Sequence, residues 1–272
     1  MAAPSSITPP AGAVDAATET REDLFGFDPA FRERVKAAFV FLHDRYFRVE
    51  TTGAHHIPAT GPVIFVANHS GAIPIDGAMI VTTIDRHGGR AARFLYDRFV
   101  ENLGPVSTFY KRVGGVVAAR ENALAVLRAG DPMLLFPEGV PGVAKSFGDR
   151  YRLRGFSPGF ARLALALDVP IVPVAVVGAE EIYPIVGRME NLGRLLGAPY
   201  VPLTPFFPLL GPLGVVPLPT KWFIRFGKPI RLPQVEGEAR WQRARLEAMR
   251  MRRKVQAMVT RLRARRQSIF FG

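Results

Sequence analysis

The most informative stretch of this chain is Pro62-Val63-Ile64-Phe65-Val66-Ala67-Asn68-His69-Ser70. Its first six residues are apolar, and three of them are β-branched, which predicts a short strand buried on both faces. An amide, an imidazole and a hydroxyl follow this strand directly. Because open α/β sheets place their sites in the loops that follow the strands, these polar residues are candidates for a functional site.

Strand-like and helix-like patterns alternate along the rest of the chain. The predicted further strands lie at 91–96, 113–117, 133–136, 171–177 and 222–226. The predicted helices lie at 28–47, 76–85, 121–129, 159–167 and 238–266. This alternation predicts an α/β fold with a central mixed sheet flanked by helices, together with an N-terminal helix and a long C-terminal helix.

The composition suggests three parts. Residues 1–22 are rich in Ala, Pro, Ser and Thr and lack an apolar block after a basic start, so we expect a disordered segment rather than a secretory signal. We expect one folded domain at 23–235. Within it, residues 195–220 are apolar but contain seven prolines, which excludes an ordinary membrane-spanning helix. We expect a basic amphipathic helix at 236–272.

Charge and cysteine content limit the possible functions. The chain has no cysteine, which excludes thiol chemistry, disulfides and cysteine-ligated metals. Its net charge is +13, and residues 240–266 alone hold eleven Lys or Arg and one acidic residue. A basic segment of this kind indicates an anionic partner, which could be a phospholipid surface, a nucleic acid or an acidic protein.

His69 and Asp76 form the first candidate constellation. An imidazole can take a proton from a hydroxyl, and a carboxylate can fix its tautomer and stabilise its charged form. Both residues also have ordinary interpretations, since a lone histidine is often structural and Asp76 could cap the following helix. The spacing of the other histidines does not match a zinc helix, so we predict no metal site.

Two further motifs follow along the chain. The glycines of Gly114-Gly115-Val116-Val117-Ala118-Ala119-Arg120 allow close backbone approach, and Arg120 at a helix start is suited to a phosphate. Phe136-Pro137-Glu138-Gly139 ends a strand and places Glu138 at the sheet edge. A solvated arginine and a plain turn are the alternative interpretations.

Two later features complete the set. Lys145 belongs to a basic loop that we expect to be mostly solvent-exposed, in which one or two side chains could meet a phosphate. The strand at 171–177 contains Pro173, and since proline confines strand pairing, an edge position or a bulge is expected. This strand could pack in the core or line an apolar acyl site.

Four of these elements, in this order, resemble the lysophospholipid and glycerolipid acyltransferase family related to bacterial 1-acylglycerol-3-phosphate acyltransferase. They are the His69 and Asp76 pair, the Gly114 to Arg120 motif, the Phe136 to Gly139 motif and the strand that contains Pro173. The resemblance spans about residues 57–229. The chain departs from the family pattern at three places. Six residues instead of four separate His69 from Asp76. Val117 and Ala119 replace a Phe and an acid in the second motif. Val140-Pro141-Gly142 stands where Thr-Arg-Ser often follows, so a phosphate-binding arginine is missing there.

The resemblance implies transfer of a fatty acyl group from acyl-CoA or acyl carrier protein to a hydroxyl of a lysophospholipid, glycerolipid or glycolipid, without a resident cofactor. His69 would act as the general base and Asp76 would orient it. Arg120 would bind a phosphate, and Glu138 would contact the acceptor or support Arg120. The substrate-binding residues implied in this way are Asn68, Ser70, Gly114, Arg120, Glu138, Gly139, Lys145 and Pro173.

The resemblance also implies a peripheral location on the cytoplasmic side of the membrane. The basic C-terminal helix could lie on an anionic lipid surface or dock on the domain with its arginines in water. Two other functions remain open. One is a catalytically inactive lipid-binding protein of the same fold. The other is a nucleic-acid-binding protein, which we do not favour because the basic segment has few aromatic residues for base stacking.

Overall fold

The computed structural model describes residues 23–70, 73–235, 237 and 239–272. The segment 1–22, which we expect to be disordered, lies outside these residues. The strands are β1 Glu50–Thr52, β2 Val63–Ala67, β3 Arg93–Tyr96, β4 Gly115–Val117, β5 Pro132–Leu135, β6 Ile171–Val177, β7 Gly187–Met189, β8 Val201–Leu203 and β9 Phe223–Phe226. The α-helices are α1 Pro29–Phe41, α2 Ile75–Gly88, α3 Gly104–Arg112, α4 Arg120–Arg128, α5 Val140–Val143, α6 Gly159–Leu167, α7 Glu190–Leu195 and α8 Ala239–Arg265.

In the described residues, seven strands form one sheet in the order β1-β9-β6-β2-β5-β3-β4. Neighbouring strands run parallel except β6 and β9, which are antiparallel. β7 and β8 form a separate antiparallel pair. The predicted α/β fold with a mixed central sheet, an N-terminal helix and a long C-terminal helix is therefore confirmed.

β2 lies at the centre of this sheet, and all five of its residues are buried. It pairs with β5 on one side and β6 on the other, with Val66 opposite Leu135 and Pro173. Because β2 and β5 are parallel and in this register, the residues that follow them leave the same sheet edge at the same level. The sheet therefore brings His69 and Glu138 side by side.

Pro173 lies in an interior strand, so the expectation of an edge position is wrong and the expectation of a bulge is right. The pairing of β6 with the chain after Phe226 changes register, because three steps from Val174 to Ile171 face four steps from Phe226 to Ile230. Such an extra residue defines a bulge. Proline is tolerated here because its missing N–H coincides with the irregularity.

α1 is shorter than the predicted helix at 28–47. Asp28 caps it as expected, accepting a hydrogen bond from the Phe31 N–H at 2.9 Å. After Phe41 the chain continues as a π-helix over Leu42–Tyr46, closed by the Phe47 N–H donating to the Leu42 carbonyl. Hydrophobic spacing alone does not distinguish this widened turn from an α-helix.

α8 packs inside the domain rather than projecting from it. It lies against β6 and α6, and the residues of its apolar stripe are all 7% exposed or less, namely Ala244, Ala248, Met251, Val255, Met258 and Leu262. The stripe is therefore covered by protein and is unavailable to a lipid surface, while the arginine face stays outside. Of the helices that the structure describes, none has the length and apolar content needed to cross a membrane.

The buried stripe of α8 can be tested by truncating one side chain on each face. Leu262 is 2% exposed, whereas Leu246 on the same helix is 46% exposed. We expect Leu262→Ala to lower the free energy of unfolding by about 2–5 kcal/mol, because it opens a cavity in a packed core. Leu246→Ala should change it by about 0.5 kcal/mol or less. Urea unfolding measures both, and equal losses would contradict the packing of α8.

Candidate active site

His69 and Asp76 meet despite the longer turn between them. The His69 Nδ1 atom lies 2.8 Å from the Asp76 Oδ2 atom. An ionised carboxylate only accepts hydrogen bonds, so Nδ1 carries the proton and the lone pair of the neutral ring is on Nε2. His69 lines a cavity in the described part of the protein. The arrangement therefore supplies a base whose tautomer is fixed by a buried acid.

Asp76 is fully buried and organises the turn around it. Its Oδ2 atom also accepts the Ser70 N–H at 2.8 Å, and its Oδ1 atom accepts the Gly77 N–H at 2.8 Å. The first residue before α2 is Pro74, so Asp76 does not cap this helix. The helix-cap interpretation of Asp76 is therefore wrong, and the carboxylate belongs to the histidine turn.

The His69 ring is held from a second direction by Phe136. The two rings stack with their centroids 3.9 Å apart and their planes inclined by 14°. Phe136 directly follows β5, the strand next to β2, and this adjacency explains the contact. The stack and the Asp76 hydrogen bond together restrict the imidazole to one orientation at the cavity wall.

Glu138 holds the backbone of the same turn. Its Oε1 atom accepts the His69 N–H at 2.8 Å, and its Oε2 atom accepts the Arg154 N–H at 2.7 Å. The expected support of Arg120 by Glu138 is absent from the hydrogen bonds and ion pairs described. Glu138 lines the cavity, but its two oxygens are committed to positioning the chain around His69.

Lys145 forms a buried ion pair with Glu138. Its ammonium lies 3.4 Å from Glu138 Oε2 and 2.6 Å from Glu180 Oε1. The Lys145 side chain is only 3% exposed, so the expectation of a solvent-exposed loop cation is wrong for this residue. Burial raises the pKa of Glu180, while the Lys145 ammonium and the Tyr151 N–H act in the opposite direction. Sequence gives no signal for Glu180, which lies 35 residues away.

The C-terminal helix stabilises the loop that carries Arg154. The Gln256 side chain accepts the Leu153 N–H at 2.9 Å and donates to the Tyr151 carbonyl at 2.8 Å. The Arg252 guanidinium donates to the carbonyls of Leu153 and Arg154. α8 is thereby connected to His69 through Arg154 and Glu138.

A cavity of about 720 Å³, which His69 lines, has mostly apolar walls. It follows one face of α2 from Gly77 to Asp85, a distance of about 12 Å at ~1.5 Å per residue. Burial, with a smaller contribution from the Asp76 charge, raises the pKa of Tyr110 to about 12, so this wall hydroxyl stays neutral. The apolar lining includes Phe39, Val81, Phe94, Phe99, Val100 and Phe109. Such a cavity suits a long hydrocarbon chain.

Arg120 lines the same cavity from the first residue of α4. Gly139 also lines it, but its N–H donates to the Phe136 carbonyl at 3.1 Å and is used within the turn. This amide is therefore unavailable to stabilise an oxyanion. In the described residues, no three His, Asp or Glu side chains converge to hold a metal ion.

The remaining predicted residues support the site without facing the cavity. Asn68 is fully buried, and its amide exchanges two hydrogen bonds with Val176 in β6, at 2.8 and 3.0 Å. Ser70 donates its N–H to Asp76. Gly114 has a φ of 105° at the entrance to β4, and Pro173 packs against Gly227. None of these four is among the residues that line the cavity, so the described structure does not place them against a substrate.

Sequence comparisons show which proteins the chain resembles. The model of the family described as "Acyltransferase" matches residues 48–177, which include β2, α2, β5 and β6. An uncharacterized protein of Mycobacterium leprae is 41% identical over 92% of this chain and 70% of the relative. The human "DGAT1/2-independent enzyme synthesizing storage lipids" is 30% identical over 70% of this chain and 56% of the relative.

A solved structure shares the fold. It is the crystal structure of the 1-acyl-sn-glycerophosphate (LPA) acyltransferase from Thermotoga maritima, matched with a TM-score of 0.57. The match covers 87% of this chain and 83% of the other at 21% identity. The resemblance drawn from the four motifs is confirmed by these findings. The chain belongs to the acyltransferase family.

Proposed function

We propose that this protein transfers a fatty acyl group from a thioester donor to a hydroxyl of a glycerolipid, with His69 as the general base. The 2.8 Å contact between His69 Nδ1 and Asp76 Oδ2 carries the proposal, because it leaves Nε2 as the basic nitrogen beside an apolar cavity. The donor is acyl-CoA or acyl carrier protein. The acceptor is a lysophospholipid or a related lipid alcohol.

In the proposed reaction, Nε2 of His69 takes the proton of the acceptor hydroxyl as its oxygen attacks the thioester carbonyl. Asp76 stabilises the resulting imidazolium. The tetrahedral intermediate then collapses, the carbon–sulfur bond breaks, and the imidazolium returns the proton to the departing thiolate. The acyl chain lies in the cavity along α2 throughout. This sequence needs no covalent acyl-enzyme and no cysteine.

The proposed base can be tested by substitution. We expect His69→Ala to lower kcat by about 10²–10⁴-fold, because the general base is lost. Asp76→Asn should also lower kcat, because an amide no longer favours the Nδ1–H tautomer. The exposed residue His55, in a short 3-10 helix, provides the control His55→Ala, which should keep wild-type activity. Transfer of labelled acyl groups from acyl-CoA to lysolipids measures all four proteins.

Two outcomes of this experiment would reject the catalytic role. Equal transfer by His69→Ala and wild type would remove the base assignment. A wild-type protein that binds acyl chains but transfers none to any lipid, from acyl-CoA or from acyl carrier protein, would favour the alternative of an inactive lipid-binding protein. Circular dichroism of each variant separates loss of chemistry from loss of folding.

Glu138 and Lys145 act as positioning residues in this proposal. Lys145→Met leaves two buried carboxylates without their cation, and removal of one partner of a buried pair costs about 3–5 kcal/mol. We expect that loss in chemical unfolding, together with a lower kcat. Adding Glu180→Gln should recover part of the stability, because it removes one of the two uncompensated charges.

The matched control for Lys145 is a lysine at the surface. Lys111 pairs with Glu101 at 2.7 Å, with both side chains about one-third exposed. Lys111→Met should cost about 1 kcal/mol or less. If Lys145→Met is no more destabilising than Lys111→Met, the buried cluster does not support the His69 turn as proposed.

We place the protein at the periphery of the membrane on its cytoplasmic side, where its lipid substrates reside. The contact surface is an apolar shelf formed by six residues, each more than half exposed: Val186, Leu195, Leu196, Leu209, Leu213 and Val216. Exposed apolar residues clustered in one chain segment mark an interaction surface. The chain segment that carries the shelf contacts the cavity wall, because the Tyr200 hydroxyl in this segment donates to the carbonyl of Val143, a lining residue, at 3.0 Å.

Vesicle flotation tests the shelf against the arginine face of α8. We expect Leu195→Ser, Leu209→Ser and Leu213→Ser together to lower binding to anionic vesicles at least tenfold, since each buried Leu contributes about 1.5–3 kcal/mol. The control carries serine at Leu24, Leu246 and Met249, three exposed apolar residues outside the shelf.

A variant of α8 with fewer positive charges tests the alternative that vesicle binding is electrostatic. Arg253, Lys254 and Arg261 are exposed on α8, and glutamine at these positions removes three charges without touching the buried stripe. If this variant loses vesicle binding while the serine variant of the shelf retains it, association is electrostatic and the shelf does not contact lipid.

A further inference from the structure

Arg162 adds a guanidinium, beside those of Arg32 and Arg120, to the cavity that His69 lines. It lies on α6, lines the cavity together with Arg120, and its guanidinium carbon is 3.1 Å from the centre of the Trp241 ring in the first turn of α8. The Arg162 Nε atom is buried and has no hydrogen-bond partner within the described residues. The side chain is therefore held by an aromatic face rather than by an acid.

The charge around Arg162 is uncompensated. No ion pair to either Arg120 or Arg162 occurs among those the structure describes, whereas the buried Lys145 and Arg266 both contact glutamates. Burial lowers the pKa of Arg162, and the nearby positive charges of Arg245 and Arg120 lower it further. Cations that repel one another at a cavity wall are stabilised by an anion, and guanidinium groups match phosphate oxygens as paired donors.

The segment that leads into α6, the helix that carries Arg162, is attached next to the turn that holds His69. The Ser157 N–H, two residues before α6, donates to the Pro137 carbonyl at 2.9 Å. Pro137 immediately precedes Glu138, which holds the His69 turn. α5, which follows Glu138, is Val140-Pro141-Gly142-Val143 and supplies no cation. Of the arginines that line the cavity in the described residues, Arg32 pairs with Asp85, whereas Arg120 of α4 and Arg162 of α6 have no ion pair and carry the available positive charge.

We propose that Arg120 and Arg162 together bind a phosphate monoester at the catalytic end of the cavity, and that Trp241 is a positioning residue for Arg162. Two substrates carry this chemistry, the headgroup of a phosphorylated acceptor such as lysophosphatidic acid and the nucleotide of a CoA donor. The assignment deepens the proposed function and rests on it for the choice of ligands. Its test measures binding and does not require turnover.

Equilibrium binding to wild type, Arg162→Gln and Arg128→Gln tests the subsite. Arg128 ends α4, is exposed and does not line the cavity, so it controls for the change in net charge. The acceptor arm compares lysophosphatidic acid with monoacylglycerol of the same chain. The donor arm compares palmitoyl-CoA with palmitoyl-pantetheine. We expect Arg162→Gln to weaken one phosphate-bearing ligand about 10- to 100-fold and to leave both neutral ligands unchanged.

The two arms identify the source of the phosphate. A loss confined to lysophosphatidic acid assigns Arg162 to the acceptor, and a loss confined to palmitoyl-CoA assigns it to the donor. If Arg162→Gln binds all four ligands like wild type, Arg162 only packs against Trp241 and the subsite is rejected. Absence of acyl transfer by wild type would refute the proposed function while leaving these binding differences intact.

Trp241→Leu tests the positioning role separately. Leucine preserves an apolar cover but removes the aromatic face. We expect it to weaken the same phosphate-bearing ligand several-fold, with unchanged affinity for the neutral ligands and an unchanged thermal midpoint. Equal weakening of neutral and phosphorylated ligands would show that Trp241 shapes the cavity as a whole and does not position Arg162.

Discussion

The site depends on one buried carboxylate. Asp76 is completely shielded from water, and it is stabilised by N–H groups of Ser70, Gly77 and the His69 ring. A charge in such surroundings requires these donors, since burying an unpaired carboxylate is strongly unfavourable. The carboxylate therefore positions the backbone of Ser70 and Gly77 through their N–H groups. Its hydrogen bond to the ring Nδ1 atom also fixes the orientation of the His69 imidazole. Stability of the turn and orientation of the histidine ring have a common origin.

The fold and the principal site could largely be predicted from the sequence. The apolar run that ends at Ala67 placed β2 in the sheet interior, and the helix at Gly159–Leu167 and the strand at Ile171–Val177 match their predicted bounds. The pairing of His69 with Asp76 followed from residue chemistry. These features are local, because each depends on residue types within one short window.

The features that sequence could not provide depend on contacts between distant segments. Lys145 resembled a surface cation because it belongs to a basic segment, yet Glu138 and the distant Glu180 enclose it in the fold. The apolar stripe of α8 was equally consistent with lipid and with protein, since hydrophobic spacing does not identify the covering surface. For Glu138, the motif indicated a functional position, but only the register of β2 against β5 shows that it holds the His69 backbone.

The attachment of α8 has a consequence for the order in which the parts of the site can assemble. A ribosome makes α8 after every other element of the site, and the 151–154 loop has no Gln256 or Arg252 to hold it until then. The Arg154 N–H that Glu138 accepts belongs to this loop, so the surroundings of Glu138 are complete only when Arg252 and Gln256 are in place. A chain that ends before α8 therefore contains His69, Asp76 and Glu138 but lacks the contacts that hold the 151–154 loop beside them.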